Sequence, residues 1–423
     1  MENQKRFYSL HSKCKASLYT AFFIVFVDLF GWAIVFPLFA PLILNLDYGM
    51  FPPTTALKVR NMAIAGVFSA YPLTQFFGAP FFGGLADRNG RKKAFLLAIG
   101  GVSIGYFLSA TALVFKSYIG LLIARLITGF FSGSLNIAFA TISDLSTTAK
   151  DLTRNFSLVA IFGGLAWVLA ALVGGDFSDP RLARYLQPAT PFWITGIMTA
   201  IVFFIVMAVF RETCTTVKET SLSLFQGFKD LKVAFVIPKI KSLFTAYLLW
   251  SIGWVMILAW FAALSIEKFN FSQEAISYIL MGNGLVWMAM NLIVYHVLAS
   301  RFSLRSLALT GYLCGGLSLL IAIFGNQVVY TVFFLFAIAF SAILWGTVLS
   351  LISLSAPKEL QGISLGVGQS VFSLGIILGP LLAGYLAGIR VSFPYYAAAA
   401  LFLAGFILVA LRRLDIQQKP QQQ

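Results

Sequence analysis

Apolar positions in this chain do not alternate with polar ones; they run on. Stretches of around 20 apolar residues recur from one end to the other, each long enough to cross ~30 Å of hydrocarbon as a helix. They place about twelve spans. Six lie near residues 18–42, 62–85, 94–115, 118–142, 156–175 and 192–211. Six more lie near 243–265, 275–299, 307–325, 328–352, 363–388 and 392–411. Strand-like alternation is absent, so a closed barrel of short spans is not expected. One long interior polar segment, 211–242, divides the spans into two sets. The predicted organisation is a tail (1–17), a six-helix bundle (18–211), a linker (212–242), a second bundle (243–411) and a tail (412–423). The opening MENQKRFYSLHSKCKAS is basic like the start of a signal peptide. The run after it is too long and too punctuated by proline for a cleaved one, so a retained first span is expected.

Composition agrees with the pattern. Hydrophobic residues make up 59% of 423 positions and mean hydropathy is +0.88, against roughly 45–50% apolar in soluble domains. A chain this apolar could not cover itself with polar surface. The fold class expected is an all-α membrane protein. Charge then orients it. With the N-terminus in the cytoplasm, 22 of the 30 Lys and Arg fall on the inner side and 7 on the outer, as cytoplasmic loops require. Both termini are therefore expected inside the plasma membrane (a bacterial inner membrane). This asymmetry accounts for the net charge of +15 without nucleic acid as a partner.

Energy and chemistry narrow the class further. No glycine-rich loop ends in Gly-Lys-Ser/Thr, so a phosphate cradle of that kind is missing. Two histidines, His11 and His296, and three isolated cysteines, Cys14, Cys214 and Cys314, suggest no metal cluster, disulfide framework or cofactor. A membrane-embedded enzyme would want clustered His, Asp or Glu within its spans, where Asp28 stands nearly alone. A cation gradient remains as the driving force. About 100 mV supplies ~2.3 kcal/mol per proton, enough for a gradient of roughly fifty-fold. The expectation is a monomeric secondary transporter whose partners are a small-molecule substrate, protons and the lipid bilayer.

Polar residues inside the spans are the candidate machinery. Asp28 lies about ten residues into the first span, near the midplane at ~1.5 Å per residue. A carboxylate there costs roughly 2.5–3.5 kcal/mol on insertion scales, which suits a group that takes up and releases protons. The alternative is a structural pair with Arg125 or a backbone group that only holds helices together. Arg125, Gly129 and Gly133 stand four apart on one face of the fourth span, and Asn136 continues the stripe. Arg125 could act on a nearby carboxylate's protonation, bind an anionic substrate, or only pack. Tyr71, Gln75, Asn283, Asn291 and Gln369 are further polar groups within spans. Trp254 and Trp345 are candidates for stacking on a substrate, with lipid-facing or packing roles as the alternative. Trp260 is placed toward the outer end, where aromatic belts are ordinary. In the linker, Phe225, Phe228, Leu231 and Phe235 recur at roughly helical spacing among lysines, predicting a short helix lying on the inner surface.

One polar gap stands out. GGLADRNGRKKAF, residues 83–95, packs five charges into seven positions of a chain only 11% charged. Gly83 and Gly90 permit close packing and a tight turn, and Asp87 could face a helix N-terminus. The spacing of Gly83, Asp87, Arg88, Gly90, Arg91 and Lys92 resembles the loop signature of the major facilitator superfamily. Arg125 with its glycines is similar to that family's fourth span. Asp28, Gly31 and Pro37 in FVDLFGWAIVFPLFAP, with FRET at 210–213, resemble its tetracycline-efflux branch of drug:proton antiporters. The resemblance implies two pseudo-symmetric six-helix bundles around a cavity lined by the first, fourth, seventh and tenth spans, which would place Asn136 there. It also implies a cytoplasmic gate, with Asp87 facing the start of the eleventh span and Arg91 or Arg88 reaching Asp144. LADRNGRK at 85–92 matches LASRFSLR at 298–305, offset by 213 residues, as expected of half-repeats. In the fifth span Gly164, Gly174 and Gly175 are present, but Ala170-Ala171 replaces the family's central Gly-Pro. The eleventh span instead holds Gly375, Gly379-Pro380 and Gly384. Export of a drug or metabolite is the leading expectation; import of a nutrient, amino acid or siderophore is the alternative that Ala170-Ala171 strengthens.

Overall fold

The computed structural model describes residues 2–146, 148–178, 186–213, 223–356 and 361–412. Arg181, Arg184, Cys214, Lys358, Arg413 and Lys419 lie outside the described residues, as do the side chains of His11, Cys14 and His296. The first half comprises α1 (Glu2–Ala33), α2 (Phe39–Leu44), α3 (Leu57–Asn89), α4 (Arg91–Val114), α5 (Tyr118–Phe131), α6 (Ser134–Asp144), α7 (Ala149–Gly175) and α8 (Thr190–Ala208). A linker helix, α9 (Gln226–Val236), follows. The second half comprises α10 (Pro238–Phe269), α11 (Gln273–Ile293), a π-helical turn (Val294–Leu298), α12 (Ala299–Arg301), α13 (Leu304–Phe324), α14 (Gln327–Ser355), α15 (Gln361–Ala387) and α16 (Phe393–Leu411). Every described regular element is helical.

Eleven of these stretches are long and apolar enough to cross a membrane, α5 and α6 counting as one. Helix α3 is equally long but falls short on hydropathy, because Tyr71, Pro72, Thr74, Gln75 and Pro80 sit in its middle.

Two expected spans are broken helices. The first stops at Ala33, and a string of tight turns carries the chain to α2, with Phe36 N–H bonding Ala33 O and Leu38 N–H bonding Val35 O, both at 3.2 Å. Pro37 has no N–H to continue the ladder. The freed Ile34 carbonyl and the Pro37 ring lie where a side chain on Gly174 would fall, so α7 packs against α1 there. The fourth span breaks at Ser132–Gly133. Ser132 Oγ turns back to bond Gly129 O (2.6 Å), and Gln75 Nε2 reaches Ser132 O from α3 (3.5 Å). Such partners are what a break inside a membrane needs.

The halves meet along two seams, α3 against α15 and α7 against α11. Both are built on glycine. Gly384 on α15 leaves no room for a Cβ beside Ala65 and Asn61 O of α3, and Gly175 on α7 lies against Ser277 of α11. Gly379 packs on Val255 and Ile252 O of α10, so the Gly379-Pro380 pair serves helix packing. Within the first half, Gly129 lies on Tyr71 O and Gly133 on Phe82. Small residues are how helices approach closely in lipid. Two expectations need correcting. A Cβ on Gly83 would meet nothing within 4 Å, so that glycine is not a packing contact. Trp260 is not in a surface belt: it is fully buried, beside Gly384 at the seam.

Candidate functional site: a tryptophan-lined cavity and a charged turn

Between the halves lies a cavity of about 400 Å³, within the usual size for a small-molecule site. The residues singled out from the sequence come together on its wall: Asp28, Tyr71, Gln75, Asn136, Trp254, Asn283, Trp345 and Gln369, with Asn291. Three more tryptophans were not anticipated, namely Trp32, Trp167 and Trp287. The signal for two of them was available. Trp32 follows Asp28 by four residues, and Trp287 stands midway between Asn283 and Asn291, so each shares a helical face with a polar candidate.

The five indoles form one chain of contacts across the halves. Trp167 meets Trp32 edge-on (5.3 Å), Trp32 stacks on Trp254 (5.9 Å), and Trp254 meets Trp287 (5.2 Å). Trp287 stands perpendicular to Trp345 (5.7 Å). These are the offset and edge geometries that aromatic quadrupoles favour.

Asp28 is the only formally charged residue among those lining the cavity. It does not pair with Arg125 in an ion pair among the described residues. Ser134 Oγ donates to Asp28 Oδ2 (2.7 Å), and Ser134 is the first residue of α6. The break in the fourth span thus brings a helix N-terminus, with its partial positive charge, to the carboxylate. Arg125 lies behind the wall, 1% exposed, its guanidinium 4.8 Å from the Tyr71 ring centroid and 5.7 Å from that of Phe39. Its Nε and Nη1 have no hydrogen-bond partner among the described residues.

The cavity is sealed at one end. Asn61 Nδ2 bonds Ala387 O (3.3 Å), Ser69 Oγ bonds Ile377 O (3.0 Å), and Gln273 Nε2 bonds Ser178 Oγ (2.7 Å). All three join the halves at the end away from Lys15, Arg88, Lys92 and Lys93. Toward that basic end the lining continues through Phe139, Phe156 and Asn291, and no direct hydrogen bond joins the halves there among the described residues.

A family model described as the Major Facilitator Superfamily matches residues 21–373, with a second match over 294–423. The chain belongs to this superfamily. It is similar to the quinolone resistance protein NorA of Staphylococcus aureus (strain COL), 22% identical over 382 residues that cover 87% of this chain and 93% of that protein. The class B tetracycline resistance protein of Escherichia coli is 24% identical, covering 74% and 76%. Among solved structures, the E. coli xylose transporter XylE, in a conformation described as partially occluded inward open, superposes with a TM-score of 0.69 at 12% identity, covering 94% and 97%. The human organic anion transporter MFSD10 gives 0.66 at 18%, covering 94% and 99%. The fold is that of the superfamily's transporters, and the chain is a multi-pass membrane transporter.

The charged turn at residues 87–93 has a geometry of its own. Arg91 bridges two carboxylates: its Nη1 is 2.7 Å from Asp87 Oδ1 and its Nε 3.2 Å from Asp144 Oδ2. Arg91 rather than Arg88 reaches Asp144; Arg88 is exposed. Asp87 Oδ1 is engaged by Arg91; the approach to α15, residues 357–360, lies outside the described residues. The start of α4 is capped by Glu212, whose oxygens accept from the Arg91 and Lys92 amides (2.8 and 3.1 Å). Gly90 has φ of 92°, and the Glu212 carboxylate fills the space its side chain would need. Glu212 belongs to the FRET stretch at the end of the sixth span, but its capping role is not legible in the sequence because it lies about 120 residues from the start of α4.

Proposed function

We propose that this transporter exports bulky aromatic solutes that carry a positive charge, in exchange for protons, by alternating access across a bacterial inner membrane. The basic end and both termini face the cytoplasm, in keeping with the distribution of Lys and Arg. The observation that carries the reading is the cavity wall: five tryptophans and a single carboxylate, with no cation. An indole face attracts a cation by ~0.5–1 kcal/mol when exposed and by ~2 kcal/mol when desolvated, and Asp28 adds the matching charge. An anionic solute would meet only the wrong sign. Asp28 serves as the coupling site, where proton and cation compete for one carboxylate; Arg125, behind Tyr71, biases that competition. The names of the curated relatives, both resistance proteins, support export.

Ala170-Ala171 favours a second reading, import. The central Gly-Pro that the resemblance implies for an antiporter's fifth span is absent from α7 (Ala149–Gly175).

Inverted vesicles separate these readings. With the membrane potential clamped and the lumen acidified, the vesicles are expected to load tetraphenylphosphonium. They should exclude tetraphenylborate, the anion of the same shape. Asp28→Asn should abolish loading. Equal carriage of the anion, or undiminished proton-driven loading by the variant, would refute the proposal. Release of the cation in place of loading would favour import.

A further inference from the structure

Helix α9 sits where the halves part. Ser69 on α3 and Ile377 on α15 make a direct hydrogen bond at the seam. Seven residues further along each helix toward the basic end, about two turns or ~10 Å, stand Phe76 and Ser370. Each of these two meets α9. On one side Phe228 packs edge-on against Phe76 (5.2 Å between centroids) and at a tilt against Phe77 (6.0 Å), and Phe225 packs edge-on against Phe77 (6.2 Å). Gly227 lets the helix backbone rest on the Phe76 ring, with no room for a Cβ. On the other side Ser370 Oγ donates to Asp230 Oδ2 (2.9 Å), and the second Asp230 oxygen accepts from Gln226 (2.9 Å). The sequence pattern predicts a helix lying on the membrane surface; in the structure Gly227 and Ala234 are buried while Phe225 and Phe228 stay more than half exposed, so α9 rests one face against α3 and α15 and leaves the other open.

We infer that α9 is a wedge, holding the basic ends of α3 and α15 apart in this conformation, and that it must withdraw before that end can close. Packed helices stand 8–10 Å apart, so α3 and α15 cannot come into direct contact at this level while a third helix separates them. The wedge is tied to one half, since Ile237 alone joins α9 to α10. Its contacts also lie next to the cavity wall. Gln75 and Gln369, which line the site, are the sequence neighbours of Phe76 and Ser370. The balance between the two facing states is then set by contacts outside the solute site, chiefly Asp230–Ser370 and the phenylalanine cluster. This rests on alternating access but not on the identity or direction of the solute.

The test is a distance measurement between keto-reactive spin labels at positions 93 and 301, exposed at the basic ends of the two halves. The wild type should show a dominant long distance and a minor short one. Combining Asp230→Asn, Ser370→Ala and Phe228→Ala should raise the short-distance share about tenfold relative to the long. A second variant works in the other direction. With Cys14, Cys214 and Cys314 replaced, Phe77→Cys and Phe228→Cys bridged by a short bifunctional thiol reagent should leave only the long distance. Two populations whose ratio neither variant moves would overturn the wedge while leaving alternation standing. One unchanging distance in every protein, at any pH or with tetraphenylphosphonium, would overturn both.

Discussion

Glycines show how single positions decide this architecture. Gly129 places the α5 backbone against Tyr71 O, and Gly78 places α3 against Phe130 O, so each helix offers the other its main chain. A methyl group at Gly129 would meet a carbonyl that cannot swing aside. We expect Gly129→Ala to cost ~1–3 kcal/mol through overpacking and to lower the thermal unfolding midpoint in detergent by several degrees. Gly83→Ala meets nothing, and removing a helical glycine gains roughly 0.5–1 kcal/mol, so its midpoint should hold or rise. The contrast marks where sequence reasoning works. The motif spacing drew attention to Gly83, whereas Gly78, outside any motif, makes the tighter contact. Recurrence in a pattern says that a residue belongs to a turn, not what its missing side chain makes room for.

At the scale of helices, the half-repeat has a structural counterpart. Lys92 at the start of α4 donates Nζ to Met207 O at the end of α8, and Arg305 at the start of α13 donates Nη2 to Ala410 O at the end of α16, both at 2.8 Å. Aligned basic residues thus satisfy terminal carbonyls of the last helix in each half. Ser300, standing where the first half has Asp87, bonds only the Val297 carbonyl among the described residues, so the charged bridge exists in one half alone. That bridge leans on Glu212. Glu212→Ala removes two charge-assisted caps from α4 and should cost ~1 kcal/mol at this exposed position. Faster amide hydrogen exchange in the first turn of α4 is the readout; Glu212→Gln, which keeps an acceptor, should fall between. Helix existence could be read from apolar run length, but the breaks in the first and fourth spans could not. Pro37 and the Ser132-Gly133-Ser134 stretch punctuate runs long enough to read as single spans, and the groups that stabilise the second break, Gln75 and Ser132, become partners only after α3 and α5 pack.

Across the whole molecule, the cavity's members were largely readable as polar and indole positions within spans, because burying such groups in hydrocarbon is costly unless they face one another. Which end is sealed was not readable, since it depends on how two similar halves tilt. The seal is built from Asn61–Ala387, Ser69–Ile377 and Gln273–Ser178, all at the end opposite the basic residues. A membrane-impermeant maleimide applied to Asn136→Cys therefore should react from the basic side and be blocked from the other. Disturbing the seal should redistribute that access. Gly384→Leu sets a branched side chain against Asn61 O, Ala65 and Trp260, which can be relieved only by parting α3 from α15 at the sealed end. Labelling of the cysteine from that side should rise about tenfold or more in the Gly384→Leu background, with a matching fall from the basic side. If both rates rose together, the substitution would have loosened the bundle without tipping it, and the two ends would not be the reciprocal gates of a single pivot.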